Sequence, residues 1–526
     1  MTDGRSILSS RIDAPQPAAA ARPTQNRGMS QTMTGPARSN DAAGEAPLAL
    51  ALIDGQRVGA VSGKTLDSIN PATGQVIARI PRCDERDAQL AVAAATRAAP
   101  AWRVTEAEDR AKLLLAFADA IEARADELAR LDSTDNGSPV FDMGNDVTIA
   151  LTSIRYMAGL ALEVKGDTMP ARAGRLHFTL REPYGVVVRI IAFNHPLMFC
   201  ASKMVAPLLA GNTVIMKPSE HTSLTALAMA DDLQRIFPPG VIQILPGLGG
   251  EIGDALVSHR DVRRIAFIGS VATGLRIQAS AATTAVKTVT LELGGKNPIA
   301  VFADADLDLA VEGIVRGMNF TWQGQSCGST SRLLIQRECY DEVIAKVANR
   351  MSTLRTGSPL DRANDSGALV NRLQLDKVLS YIDIGKAEGA RLVVGGDRLT
   401  EGDLAEGNFV SPTLFADVDP TSRLATEEIF GPVLSAMPFD DYDEAIRIAN
   451  SVEYGLTASV FTRDLRTAMA FARDVEAGYV WINESARHFT GAPYGGYKNS
   501  GLGRDEDFSE IESYTQTKTV NLRFDV

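Results

Sequence analysis

Between residues 185 and 294 the hydrophobic positions fall into short apolar runs, each set off from the next by a stretch with helical spacing. Val186-Val-Val-Arg-Ile-Ile-Ala192, Thr213-Val-Ile-Met216, Val241-Ile-Gln-Ile-Leu245, Arg264-Ile-Ala-Phe-Ile268 and Val289-Thr-Leu-Glu-Leu293 read as strands. A helical segment follows each of the first four. Apolar strands in strict alternation with helices predict an α/β fold built on a doubly wound parallel sheet. Ligands of such sheets bind at the carboxyl ends of the strands, where Asn194, Lys217-Pro-Ser-Glu220, Gly247 and Gly269-Ser270 all fall.

A second alternating region runs from Gly294 to about residue 500. Its spacing predicts helices near 307–320, 340–353, 370–388, 441–450 and 465–476, and strands such as 331–335, 457–461 and 479–482. Upstream, residues 48–53 read as a strand running into the Asp54-Gly55 turn, and 68–74 as an ordered turn. Residues 84–134 read mainly as helix, with Leu113, Leu114, Phe117, Ala118 and Ile121 on a core face. The first 45 or so residues are rich in Ala, Pro, Ser, Gln and Arg, which predicts a disordered tail. Residues 517–523 read as an exposed strand in need of a partner, within the fold or in another subunit.

Composition narrows the function classes. A chain of 526 residues, 45% hydrophobic and 22% charged, has room for two or three domains. Its net charge of −12, with both signs interleaved, argues against nucleic acid as a partner. No run of about 18 apolar residues predicts a membrane span. Cys83, Cys200, Cys327 and Cys339 form no CxxC pair, a pattern that fits a reducing cytoplasm. The five histidines lack ligand spacing, so no bound metal is expected.

Chemistry concentrates around Thr321-Trp-Gln-Gly-Gln-Ser-Cys-Gly328, where a cysteine sits among small or flexible residues and is a candidate nucleophile. Glu292-Leu-Gly-Gly-Lys-Asn-Pro298 lies 35 residues upstream, and Glu428-Ile-Phe-Gly-Pro432 about a hundred residues downstream. Together with Ala192-Phe-Asn-His-Pro196, Lys217-Pro-Ser-Glu220, Phe267-Ile-Gly-Ser270 and Pro493-Tyr-Gly-Gly-Tyr-Lys-Asn-Ser-Gly501, in this order, the chain resembles the aldehyde dehydrogenase superfamily over roughly residues 50–526.

That resemblance implies NAD(P)-dependent oxidation of an aldehyde to an acid. Cys327 is then the thiolate that attacks, Asn194 and the Cys327 N–H hold the oxyanion, and Glu292 activates the water that hydrolyses the thioester. Burial between Leu291 and Leu293 is expected to raise the Glu292 pKa. Cofactor contacts are implied for Lys217, Ser219, Glu220, Gly247, Gly269, Ser270, Leu293, Glu428 and Phe430, without a GxGxxG loop. The Glu220 carboxylate favours NAD over NADP, since it accepts from a 2′-hydroxyl and repels a 2′-phosphate. Gly324 is expected to leave room for the nicotinamide.

Motif position places Phe193, Met198, Thr321, Trp322, Ser326, Arg487, His488 and Tyr494 near a substrate tunnel. The mixed aromatic lining suits a medium-sized or aromatic aldehyde, and Arg487 is either an anchor for a semialdehyde carboxylate or a solvated loop charge. Phe193, His195, Ile268 and Trp322 depart from residues common in the family, which leaves the substrate open. A CoA-acylating relative and a non-catalytic protein of the same fold are the competing readings. The domains implied are a tail (1–45), a dinucleotide-binding domain (46–164 and 184–293), a catalytic domain (294–500) and an arm with a C-terminal strand (165–183 and 501–526). Through that arm a homodimer or homotetramer is expected.

Overall fold

The computed structural model describes residues 46–170 and 172–524; the segment read as a disordered tail lies outside the described residues. Two large sheets organise them. The first has eight strands in the order Gln56–Val58, Ala51–Ile53, Ile242–Ile244, Thr213–Lys217, Val186–Ile190, Val262–Ile268, Thr288–Glu292, Gly501–Leu502. Its five central strands are parallel, with antiparallel strands closing both edges. The chain winds outward from Val186–Ile190 in one direction, then returns to its other side with Val262–Ile268. The order therefore reverses between these two strands, and a crevice opens beyond their carboxyl ends.

Alternate side chains feed two cores. Val187, Val214 and Met216 pack on one face with helices Ala107–Glu122, Ala125–Asn136, Val140–Gly159 and Pro196–Lys203. Val186, Val188, Ile215 and Ile265 pack on the other, against Glu85–Arg103 and Val271–Ala281. Coverage of both faces is why these strands are apolar throughout instead of alternating. The continuous helical pattern of 84–134 resolves into Glu85–Arg103, Ala107–Glu122 and Ala125–Asn136. Asp84 opens the first with a capping box.

The second sheet runs Arg391–Val394, Thr413–Ala416, Val433–Phe439, Arg332–Gln336, Pro298–Val301, Thr457–Phe461, Tyr479–Ile482, parallel except at the Arg391–Val394 edge. The five helices expected around it occur as Leu307–Gly317, Tyr340–Ser352, Arg372–Ala387, Tyr442–Asn450 and Leu465–Asp474. The C-terminal strand finds its partner within the fold: Thr515–Arg523 pairs antiparallel with Arg175–Pro183 along its whole length. Gly501–Leu502, within the segment assigned to the arm, instead pairs with Leu291 and Glu292 at the edge of the first sheet. Among the described residues no helix is long and apolar enough to cross a membrane, and no cluster of His, Cys, Asp and Glu could hold a metal ion.

Candidate active site

The crevice at the strand reversal is a cavity of about 680 Å³. Strand ends supply its walls: Ile190 to Asn194, Lys217 to Glu220, Phe267 to Ser270, and Glu292 with Gly294. Cys327, Glu428 and Phe430 are contributed by loops of the second sheet. Of the residues singled out from sequence, the cavity brings together Cys327, Glu292, Asn194, Phe193, Lys217, Ser219, Glu220, Gly269, Ser270, Glu428 and Phe430.

The turn that carries Cys327, the candidate nucleophile, is an unusual piece of backbone. After helix Leu307–Gly317 comes a single 3-10 turn, Phe320–Trp322, flanked by Asn319 and Gln323, both at φ 54°. Gly324 follows at φ 68°. Three left-handed residues in so short a span reverse the chain, and only glycine adopts that region without cost. A Cβ on Gly324 would also run into the carbonyl oxygen of Gly431. Backbone crowding thus explains this glycine, and Gly324 does not border the large cavity. Asn297 pins the far side of the turn, its amide donating to the Cys327 carbonyl at 2.7 Å and to that of Ser329 at 2.9 Å.

Cys327 is partly exposed, whereas Cys83, Cys200 and Cys339 are buried; all four are free thiols. Desolvation pushes the Cys327 thiol well above its ordinary value, the Glu292 carboxylate adds to the rise, and the Tyr494 hydroxyl opposes it. Glu292 ends strand Thr288–Glu292 with one oxygen, Oε1, sealed from solvent and without a partner. Burial pushes its carboxyl up to about 8, against the opposing pull of the Cys327 thiol and the Lys203 ammonium. Lys203 belongs to a buried network, 3.1 Å from Asp505, which also meets Arg189, itself paired with Glu510. Asn194 is 3% exposed and its Oδ1 has no partner. Its backbone is fixed by Asn136, whose amide donates to the carbonyls of Asn194 at 2.9 Å and Phe193 at 3.1 Å.

On the other wall, Lys217 is 2% exposed and its ammonium donates to Glu220 at 3.3 Å. Burial lowers the Lys217 pKa; burial also resists ionisation of Glu220, but the lysine prevails and holds that carboxyl below its usual range. Ser270 caps helix Val271–Ala281 by accepting from Thr273 N, and this helix start borders the cavity beside Gly269. The Lys217 ammonium, the Glu220 and Glu428 carboxylates and the helix start at Ser270 line this one cavity and supply hydrogen-bond donors and acceptors that fit a dinucleotide. Glu428 accepts from Gly295 N at 2.8 Å, and Phe430, at φ 59°, meets Phe193 edge to face at 5.6 Å.

Gly247 and Leu293 lie off this wall. Gly247, at φ 144°, packs on the Cys83 backbone, and the Leu293 side chain packs toward Gly274. Tyr494 is 6% exposed, and its hydroxyl lies 3.9 Å from Cys327 Sγ. His488 sits 4.6 Å from the Tyr494 ring and hydrogen-bonds Glu506 at 3.1 Å. Trp322 packs beside His195 at 5.5 Å with a buried Nε1 lacking a partner. Thr321 lies beside Asp142, Met198 packs on the first core, and Ser326 faces a small cleft with Gly295 and Glu428. Arg487 is a surface residue, its side chain 69% exposed and 3.5 Å from Glu484.

Sequence reasoning missed Asn136, Asn297, Gln374, Lys377 and the Gly249–Gly253 turn. The last three border the cavity. Only the double glycine at 249 and 250 carried a local signal; the asparagines and the Gln374–Lys377 pair read as ordinary turn and helix positions.

The family model described as the aldehyde dehydrogenase family matches residues 58–520. The aldehyde dehydrogenase tropH of Talaromyces stipitatus is 44% identical over 476 residues, covering 89% of this chain and 92% of its own. PnpE, solved in complex with nicotinamide adenine dinucleotide, is 40% identical with a TM-score of 0.88, covering 91% of this chain and 98% of its own. The indole-3-acetaldehyde dehydrogenase AldA of P. syringae, solved with NAD+ and IAA, is 38% identical with a TM-score of 0.88, covering 90% and 96%. With a crevice at the strand reversal, a reachable thiol beside a buried carboxylate, and a match along nearly the whole described fold, the chain belongs to the aldehyde dehydrogenase family.

Proposed function

We propose that this protein oxidises an aldehyde to the carboxylic acid, with NAD as hydride acceptor, through a thiohemiacetal and then a thioester on Cys327. The observation that carries the reading is the convergence of Cys327, Glu292 and Asn194 on one cavity whose far wall holds the Lys217–Glu220 pair. The Cys327 thiolate attacks the aldehyde carbon. The Asn194 amide and the Cys327 N–H donate to the oxygen that becomes charged, and such a donor is worth about 3–4 kcal/mol in the transition state.

Bound NAD supplies the hydride acceptor that the side chains lack. Lys217 and Glu220 would hold the adenosine ribose hydroxyls, Ser219, Gly269 and Ser270 would bind the adenosine and phosphate part, and Glu428 and Phe430 would hold the nicotinamide end. The carboxylate of Glu220 disfavours a 2′-phosphate, hence NAD over NADP. Glu292 then takes a proton from the water that hydrolyses the thioester. A carboxyl with a pKa of about 8 is a stronger base than an ordinary glutamate. Phe193, Trp322, His488 and Tyr494 suit an aromatic aldehyde, a reading supported by the likeness to an indole-3-acetaldehyde dehydrogenase.

NADH formation from a panel of aldehydes, with and without CoA, tests the reading in the native protein and in Cys327→Ala. CoA-independent turnover that disappears in Cys327→Ala is expected. Turnover surviving that substitution overturns the mechanism, and strict dependence on CoA favours the acylating alternative. The proposal extends to a cytoplasmic homodimer or homotetramer built on the two-stranded ribbon of Arg175–Pro183 and Thr515–Arg523. Light scattering on the eluting peak of a sizing column checks the oligomer.

A further inference from the structure

The reading above gives the thiol a base and an oxyanion site but nothing that favours its ionised form. Desolvation and the Glu292 and Glu428 carboxylates all work against a thiolate at Cys327. The segment that follows the His488 loop carries a group of the opposite effect. Tyr494 and Asp505 bridge each other through both backbone hydrogen bonds, at 2.9 and 2.8 Å. Between them, Gly501–Leu502 pairs with Leu291 and Glu292, and Leu293 N donates to Ser500 O at 2.9 Å. One pinned loop thus ties Tyr494 to the strand end that presents Glu292.

The Tyr494 hydroxyl sits 3.9 Å from Cys327 Sγ, within hydrogen-bonding reach of a large, polarizable sulfur. Sγ is its only hydrogen-bonding partner among the described residues. Rings of His488 at 4.6 Å and Tyr479 at 5.8 Å hold it in place. A Cβ at position 328 would stand 3.2 Å from the oxygen, so Gly328 leaves the hydroxyl its room. Ring packing alone would be met by phenylalanine; a desolvated hydroxyl aimed at the nucleophile is the part that needs a reason. Burial, and the nearby Cys327, Glu292 and Glu506, push the phenol well above its ordinary value, so it keeps its proton and is a donor.

We propose that Tyr494 is a further catalytic residue, its O–H donating to the Cys327 thiolate and stabilising the nucleophile in its attacking form. The thiol proton passes to the Glu292 carboxylate, which becomes a neutral acid and ceases to repel the sulfur. The sulfur lone pair then forms the S–C bond while the carbonyl π pair moves onto oxygen, and Tyr494 retains its own proton throughout. Stabilising a thiolate raises its population tenfold per pH unit but blunts its nucleophilicity, so the net gain at neutral pH is about threefold per unit.

Alkylation of Cys327 by iodoacetamide, followed by peptide mass spectrometry over a pH series without aldehyde or cofactor, tests this in the native protein, Tyr494→Phe and a Cys327→Ala control. Tyr494→Phe is expected to raise the midpoint by roughly one to two pH units. Its rate should fall roughly three- to tenfold at neutral pH and match or exceed the native rate above both midpoints. NADH binding followed by fluorescence verifies the fold of the variant. An unmoved midpoint overturns the proposal, as does a uniform loss of rate at every pH, which marks a packing role. Because the assay needs no aldehyde, a shifted midpoint in a protein that oxidises none would refute the proposed function while leaving Tyr494 its role.

Discussion

In the mechanism proposed, Glu292 has to be both a neutral neighbour for a thiolate and a base for water, and its environment sets when it is which. With a carboxyl near 8, it is mostly protonated at neutral pH, so hydrolysis of the thioester is expected to accelerate as pH rises through about 8. Glu292→Gln should retain a burst of one NADH per site, formed more slowly because the thiol loses its proton acceptor, lose about 10²–10⁴-fold in steady-state turnover, and show no rise near pH 8; rapid-mixing and steady-state rates across pH check this. Asn194→Ala should cost about 10²–10³-fold in turnover. Its Oδ1 makes no bond that folding could lose, so scanning calorimetry should find Tm within a few degrees of native. Arg487 belongs to solvent: an exposed ion pair at 3.5 Å contributes little. Arg487→Ala should therefore leave the KM for succinic semialdehyde and for a neutral aldehyde of similar length within about twofold of native, and a selective rise for the semialdehyde would restore the anchor reading.

The element that matters most is the turn from Asn319 to Gly328, whose strained backbone is overdetermined by its surroundings. Asn297 holds the Cys327 carbonyl, Gln325 Oε1 accepts from Val370 N at 3.1 Å, and Gly431 crowds Gly324. Gly324→Ala adds a methyl in a left-handed conformation, costing about 1–2 kcal/mol before any clash with the Gly431 carbonyl. A fall in Tm of several degrees, together with lost alkylation of Cys327 at neutral pH, is expected. The glycine was visible in the sequence, but its reason was not: room for a cofactor was the local guess, and the close approach of residue 431 is a tertiary fact. The helices were legible because each carries an apolar stripe, as in Leu307–Gly317. Strands 298–301, 413–416 and 433–439 were passed over among the helices around them; their buried runs are short and carry no alternation.

Across the whole molecule, buried carboxyls link stability to pH. Asp132, fully buried on helix Ala125–Asn136 and accepting from Leu197 N at 3.0 Å, is pushed up to about 8 by desolvation, and Asp135 to about 7 for the same reason. A carboxyl raised on folding contributes stability that is complete below about pH 4 and is lost as pH climbs through the folded value, by about 1.4 kcal/mol per unit for each group. Asp132→Asn removes one such group, so its Tm should decline less than the native Tm between pH 5 and 8, as calorimetry at both pH values would show. An equal decline would mean that Asp132 is already ionised in the folded state. The fold class and the strand ends that supply the cavity were determined by the sequence alone, because periodicity is local and survives in one dimension; Cys327, Glu292 and Asn194 were singled out there as candidates, by short motifs read through a family resemblance. What only the tertiary structure decided is which groups share a boundary: Tyr494 lies 167 residues from the thiol it touches, and Lys203, Asp505 and Glu506 bear on Glu292 from elements far apart in the chain. Burial and through-space electrostatics depend on neighbours, and the order in which strands join a sheet chooses those neighbours.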